Sequence, residues 1–581
     1  MHLTLASLLA LPFGLLQVVL AVPAPADYAQ QHPLDVAALP KQATWKRLSD
    51  RIIESIWKDG AHETDKDLPD PFAFRGYDRE VVIRFNVSTA EEARSLAEAS
   101  ETLLLDIWGF SQEWVDIRIP KDIVKPMLGL LPSSLQRSYI PLLRERELSE
   151  AVRATYLTAR NRGPAIKAKD SLDSGSHIHI DQMDKVGATE EDLFFSQYRP
   201  LSVLHPWMRF LASIYPGHVQ KINIGISAQG RGIPALRVGN SKRPNRETVL
   251  IVGGLHAREW ISTSTVSYVA YHFVTCYGNS ARITALMDQL DFVFVPTLNP
   301  DGYAYTWETD RLWRKNRQRT GLRFCQGIDL DRAFSFQWDG DSTTSGNPCS
   351  ESFAGEQPFE AVEAKALADW AKNETTHNNV TFVGFLDMHS YAQEILYPYS
   401  FSCDEKPPGL ENLEELAIGI EKAIRSTHGH KYEIMPACEG NVAVNNGFRQ
   451  SLSPRMEASG GSILDWFYHE MHVRYAYQLK LRDKGLYGFL LPAENIIPTG
   501  EEILEAVLYF AEFLGDVYGS GMDVKESTAN GKVQNDQGVP KDKDFAFSAD
   551  DIGDDWVVID GQAELSMSDL MLSESLRQRQ D

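Results

Sequence analysis

Between residues 190 and 520, short apolar runs alternate with amphipathic ones, and this alternation restricts the fold more than any other feature of the chain. ETVLIVGG, DFVFVPT, TFVGFLDMH and RYAYQLKL have the length and the β-branched and aromatic content of strands. LSVLHPWMRFLASIY has apolar residues at helical spacing. Strands and helices in alternation predict an α/β domain around a central sheet, over residues 176–520. It is large for one core, yet no linker-like stretch divides it.

Upstream, a smaller pattern of the same kind lies at residues 75–145. EVVIRFNV alternates as a strand. STAEEARSLAEASETLLLDIWGF opens on a Ser/Thr cap and continues with helical spacing. VDIRIP reads as a second strand and KDIVKPMLGLLPSS as a second helix, which together predict a small α/β sandwich. Residues 145–175 are rich in Arg, Lys and Glu and end in KAKDSLDSGS, which predicts a helix followed by an exposed linker open to proteases. Residues 22–70 are mixed, with a short amphipathic run from Trp45 to Trp57. Residues 521–581 hold 14 acidic against 6 basic residues and predict a disordered tail, within which DDWVVI and ELSMSDLML could dock.

Residues 3–21, LTLASLLALPFGLLQVVLA, are apolar and end in small residues, with Val19 and Ala21 placed as at a signal-peptidase site. A membrane anchor fits less well, because Pro12 and Gly14 interrupt a run that barely reaches the roughly 20 residues needed to span. The expected location is therefore secreted or vacuolar, with residues 1–21 removed. A net charge of −23 argues against nucleic acid or an anionic membrane as the main partner. In an oxidising compartment the five cysteines suggest two disulfides. Cys325 and Cys349 lie 24 apart and Cys403 and Cys438 lie 35 apart, while Cys276 sits in the apolar run YVAYHFVTCYG as a buried thiol. Connectivity does not follow from spacing. Asn86, Asn373 and Asn379 begin glycosylation sequons.

Chemistry gathers at the ends of two strands. GGLHAREWIS places His256 and Glu259 directly after ETVLIV, and FLDMHSY places His389 at the end of another strand. Imidazole nitrogen and carboxylate oxygen are both good Zn²⁺ ligands. Strand ends in an α/β sheet converge on one crevice. His-x-x-Glu alone is a weak signal, since a lone histidine is more often structural.

Taken in order, HAREW, RLWRKNR, CQGIDLDR to NPCSE, HSYAQEILYPY, ASGGS and LRDKGLYGFLLP make Phe194–Gly515 resemble the zinc metallocarboxypeptidases of the pancreatic A/B type. The upstream sandwich, with its DIW, resembles that family's inhibitory pro-domain, so residues 22–175 are expected to be a pro-region. The resemblance implies a mixed central sheet flanked by helices and one Zn²⁺ held by His256, Glu259 and His389, with water in an open fourth position. It implies that Asp329 steadies His256 from behind. Arg258, Arg314, Arg332, Ser390 and Tyr391 match positions lining the substrate cleft. Arg314 would stabilise the oxyanion, and Arg332 would fork onto a terminal carboxylate. Cys325 and Cys349 match the family's disulfide. The position that sets specificity falls at Ile463, where Ile463-Leu464-Asp465 carries one extra residue.

Three positions depart from the pattern. The family's general base, a glutamate, is here Lys480. An ammonium has donors and no acceptor, so it cannot take a proton from a metal-bound water. Loss of such a base removes on the order of 10²–10⁴-fold in rate. An asparagine that binds the substrate carboxylate is Asp331, and a mobile tyrosine is Met456. The combination resembles the fungal inactive metallocarboxypeptidase-like proteins linked to cell-wall organisation. The resulting expectation is a zinc-binding pseudo-carboxypeptidase, monomeric and without a stable membrane anchor, whose ligand is a peptide or protein. The alternative is an active exopeptidase releasing apolar C-terminal residues with a substitute base such as Glu457. Lys480 and Asp331, changed in opposite senses, are expected to pair across the cleft.

Overall fold

The structure, a computed structural model, describes residues 73–111, 113–144, 146–156, 194–239, 246–340, 345–439 and 460–519. The signal segment, the Trp45–Trp57 run, the linker beyond Tyr156, Met456, Glu457 and the acidic tail lie outside them.

The N-terminal domain is a four-stranded sheet in the order β2-β3-β1-β4, with β1 Glu80–Asn86, β2 Asp106–Phe110, β3 Trp114–Pro120 and β4 Tyr139–Leu143. Helices α1 (Ala90–Thr102) and α2 (Lys121–Leu130) belong to the same domain. The expected cap is Thr89, in a full capping box with Glu92. The helix stops at Thr102, earlier than its spacing suggested. DIWGF, with a β-branched and two aromatic residues, is instead strand β2 beside β3. The sequence reading also missed β4. A further helix, Glu147–Tyr156, falls where one was expected.

The larger domain is an eight-stranded mixed sheet in the order β11-β10-β12-β9-β7-β8-β6-β5. Its strands are β5 Val219–Ile226, β6 Gly232–Val238, β7 Arg246–Gly253, β8 Asp291–Val295, β9 Val380–Ser390, β10 Glu394–Tyr397, β11 Glu433–Pro436 and β12 Tyr475–Leu481. The four runs read as strands are β7, β8, β9 and β12. The β7–β9 and β9–β12 pairs are parallel, and β8 is buried throughout. Such strands need cover on both faces, and helices supply it. Among them are α3 (Trp260–Cys276), α4 (Leu410–His428) and α5 (Ile496–Gly519). Cys276 was expected to be buried. It is half-exposed, because it sits in the last turn of α3 where the helix leaves the core. Cys325–Cys349 and Cys403–Cys438 are the two disulfides. Asn86, Asn373 and Asn379 are all exposed. No helix among the described residues is long and apolar enough to cross a membrane.

Candidate metal centre

The turn after β7 sets the site. Gly254 has φ +62°, and a Cβ there would meet Thr263 Oγ1 at 2.8 Å and Thr297 Cα at 3.0 Å, so the turn requires glycine. The Gly254 N–H donates to Ser262 Oγ at 2.9 Å, and Ser262 Oγ donates to the Met388 carbonyl at 2.5 Å. The start of α3 therefore ties the end of β7 to the end of β9. His256 and His389 face each other as a result, with ring centroids 4.7 Å apart.

His256 Nδ1 lies 2.8 Å from Glu259 Oε1, and His389 Nδ1 lies 3.1 Å from Glu259 Oε2 and 3.1 Å from His256 Nδ1. The far nitrogens meet carboxylates: Asp329 Oδ1 is 3.0 Å from His256 Nε2, and Asp387 Oδ2 is 2.8 Å from His389 Nε2. A carboxylate at Nε2 keeps the proton there and leaves the Nδ1 lone pair available. Two such lone pairs and a carboxylate aimed at one point repel one another unless a cation lies between them. The ligand atoms of His256, Glu259 and His389 all lie within 4.8 Å of one another, and the donor set suits zinc. The residues therefore fit the metal that the sequence implied. Burial pushes the Glu259 carboxyl up, but the two imidazoles more than offset this and hold it well below the usual carboxylate range. Asp329 is held down too, against the effect of burial, by Arg314 and His256.

The same cavity is lined by Arg314, Asp331, Arg332, Ser390, Tyr391, Gln478 and Lys480, so the structure brings most of the expected cleft together. Arg314 Nη2 donates to Asp329 Oδ2 at 3.0 Å. The Ser390 N–H donates to Glu259 Oε2 at 3.0 Å. Asp331 Oδ1 accepts from the Ile463 N–H at 3.2 Å, and Asp331 Oδ2 meets Arg332 Nη1 at 3.1 Å and Gln478 Nε2 at 3.3 Å. Ile463 is fully buried at the start of a short helix, Ile463–His469.

Lys480 stands beside His389 in the β12–β9 register and opposite Glu394 in the β12–β10 register. Its Nζ lies 2.9 Å from Glu394 Oε2. This corrects the expected pairing with Asp331: antiparallel register brings the Glu394 side chain directly alongside. Burial pushes the Glu394 carboxyl up, and Lys480 draws it back.

Two expected cleft residues are engaged by the N-terminal domain. Arg258 Nη1 donates to both oxygens of Asp106 at 2.8 Å, with its guanidinium 4.1 Å from the Phe489 ring centroid. The Tyr391 hydroxyl donates to Asp116 Oδ2 at 2.9 Å. Trp108, Gly109 and Phe110 line the cavity itself.

Residues 204–506, just over half of the 581-residue chain, match the zinc carboxypeptidase family. The chain belongs to the zinc carboxypeptidase family. Its similarity to curated members extends beyond that segment. It is 50% identical over 499 residues to the inactive metallocarboxypeptidase ECM14 of Uncinocarpus reesii, covering 82% of this chain and 83% of that one. It is 48% identical over 534 residues to the protein of the same name from Ajellomyces dermatitidis, covering 88% and 87%. Among solved structures, thrombin-activatable fibrinolysis inhibitor superposes with a TM-score of 0.60 at 26% identity, covering 75% of this chain and 99% of that one. The family read from the sequence is thus the family found, and the chain falls with its members named inactive.

Sequence reasoning missed Asp387 and Glu394. Asp387 had a signal, since it precedes His389 by two on one strand and so shares its face. Glu394 had a fainter one, a lone carboxylate in the otherwise apolar EILY.

Proposed function

We propose that this chain is a secreted pseudo-carboxypeptidase that holds one zinc ion and acts by binding or scaffolding in cell-wall organisation. One observation carries the absence of catalysis. Beside His389, at the position of the family's proton acceptor, stands the ammonium of Lys480, ion-paired to Glu394 at 2.9 Å. The names of the relatives support the same reading. Zinc would supply Lewis acidity and a polarised water. His256, Glu259 and His389 would hold it, while Asp329 and Asp387 fix the two imidazoles. Arg314 is committed to Asp329, Arg332 meets Asp331, and the Lys480 ammonium has no lone pair with which to take the proton of a water. What remains is a metal-tied fold, in which ligands from separate strand ends link metal binding to folding. The leader at residues 1–21, the two disulfides and three exposed sequons support a secretory route, and residues 22–175 are read as its pro-region. The cell-wall role rests on the resemblance, and the ligand is read as a peptide or protein.

The test is metal analysis of the purified chain, followed by assay with C-terminally free and blocked peptides. About one zinc per chain and no residue release are expected. Release that requires both zinc and His256 would overturn the proposal in favour of an active exopeptidase.

A further inference from the structure

The base position touches the other domain. Lys480 Nζ lies 5.5 Å from the centroid of the Phe110 ring, which belongs to β2 of the N-terminal domain. Glu394 holds the same ammonium at 2.9 Å. The face of an aromatic ring is the negative end of its quadrupole, so it attracts a cation and repels a carboxylate. A glutamate at this position would meet the ring face and Glu394 together. The contact therefore depends on the charge found here.

The surrounding contacts belong to a permanent interface. Asp106 takes Arg258, which is 0% exposed, and Asp116 takes the hydroxyl of Tyr391, which is 3% exposed. Trp108 packs edge-on against Phe489, with centroids 5.3 Å apart. Tyr77, Trp108, Leu148, Val152 and Tyr156 lie in the same apolar cluster as Trp260 and the strands of the larger sheet. The two sheets form one compact unit. Separating them would strand charged and hydroxyl groups that are buried and paired, and would wet a shared core. Apolar cores that run through both partners mark obligate interfaces rather than transient ones.

We propose that Lys480, positioned by Glu394, is a docking residue for Phe110, a contact that strengthens the hold of the N-terminal domain on the metal cleft. The cation at the base position then has a positive role: it converts a catalytic position into a domain contact. This holds whether or not the chain carries zinc.

The test places a specific protease site within residues 157–193 of the full chain, cuts it, and follows the two pieces by gel filtration and dilution. Wild-type pieces should co-elute at nanomolar concentration. Lys480→Met with Glu394→Gln removes the cation without burying a lone charge, and should weaken association roughly 3- to 30-fold. Phe110→Leu should weaken it to a similar extent, whereas Phe110→Tyr keeps the ring face and should match wild type. Combining Phe110→Leu with the double substitution should add little, because both remove the same contact. Wild-type pieces that separate at micromolar concentration would overturn the proposal. So would unchanged association without the cation, additive effects, or a Phe110→Tyr variant as weak as Phe110→Leu.

Discussion

The two walls of the cleft differ in what they retain. One wall carries His256, Glu259 and His389, and each imidazole is backed by its own carboxylate, Asp329 or Asp387. The other carries Lys480 and Asp331, the two positions that the sequence reading took as departures from the family pattern. Its charges are balanced internally, Lys480 by Glu394 and Asp331 by Arg332. The difference teaches that the residues fit to hold a metal and the residue expected to take a proton can vary separately. The ligand wall closes the ends of β7 and β9 and so contributes to the fold. The second wall holds no candidate ligand, and its two charged residues are each met by a neighbouring side chain of opposite sign.

The largest effect is expected on the ligand wall. His389→Ala should carry no stoichiometric zinc by metal analysis. It should also lose the zinc-dependent rise in stability, about 4 kcal/mol at a thousandfold excess of free zinc over Kd. Zinc retained at wild-type affinity would mean that the three residues are not the ligand set.

Next comes the wall that carries Lys480. Lys480→Glu sets a second carboxylate beside Glu394 and should cost roughly 3 kcal/mol in denaturant unfolding. That is the low end for breaking a buried pair, since the Lys480 side chain keeps 18% of its exposure. Adding Glu394→Gln should restore more than half of the loss. Lys480→Glu alone should release no C-terminal residues, and strong turnover by it would erase the contrast between the walls.

Asp387→Asn tests how far the ligand wall depends on its backing. Zinc affinity should fall about 10- to 100-fold while the apo protein stays folded. Smallest is a change remote from both walls. Thr89→Ala removes the capping box of α1 and should cost about 1 kcal/mol with zinc content unchanged. A loss of zinc in that variant would couple the N-terminal domain to the metal more tightly than the geometry allows.

Much of this was legible in the sequence because it is local. The four strand runs, the Thr89 cap and the strand-end placement of His256 and His389 follow from periodicity and chain order. The end of α1 was not, since ETLLLDIWGF continues to read as a helix until β3 pairs with its second half. Nor was the partner of Lys480. From the sequence Asp331 was the natural choice because both residues were anomalous. Register decided for Glu394, a residue with nothing anomalous about it in isolation.

The sequence by itself determined the family, and it singled out His256, Glu259 and His389 as candidate ligands and Lys480 as a cation beside them, because those depend on residue type and order. Only the tertiary structure decided what that cation does. Strand pairing put Glu394 at its side and domain packing put Phe110 over it. An ion pair and a ring contact depend on distance, and distance between remote segments is set by how the sheets assemble.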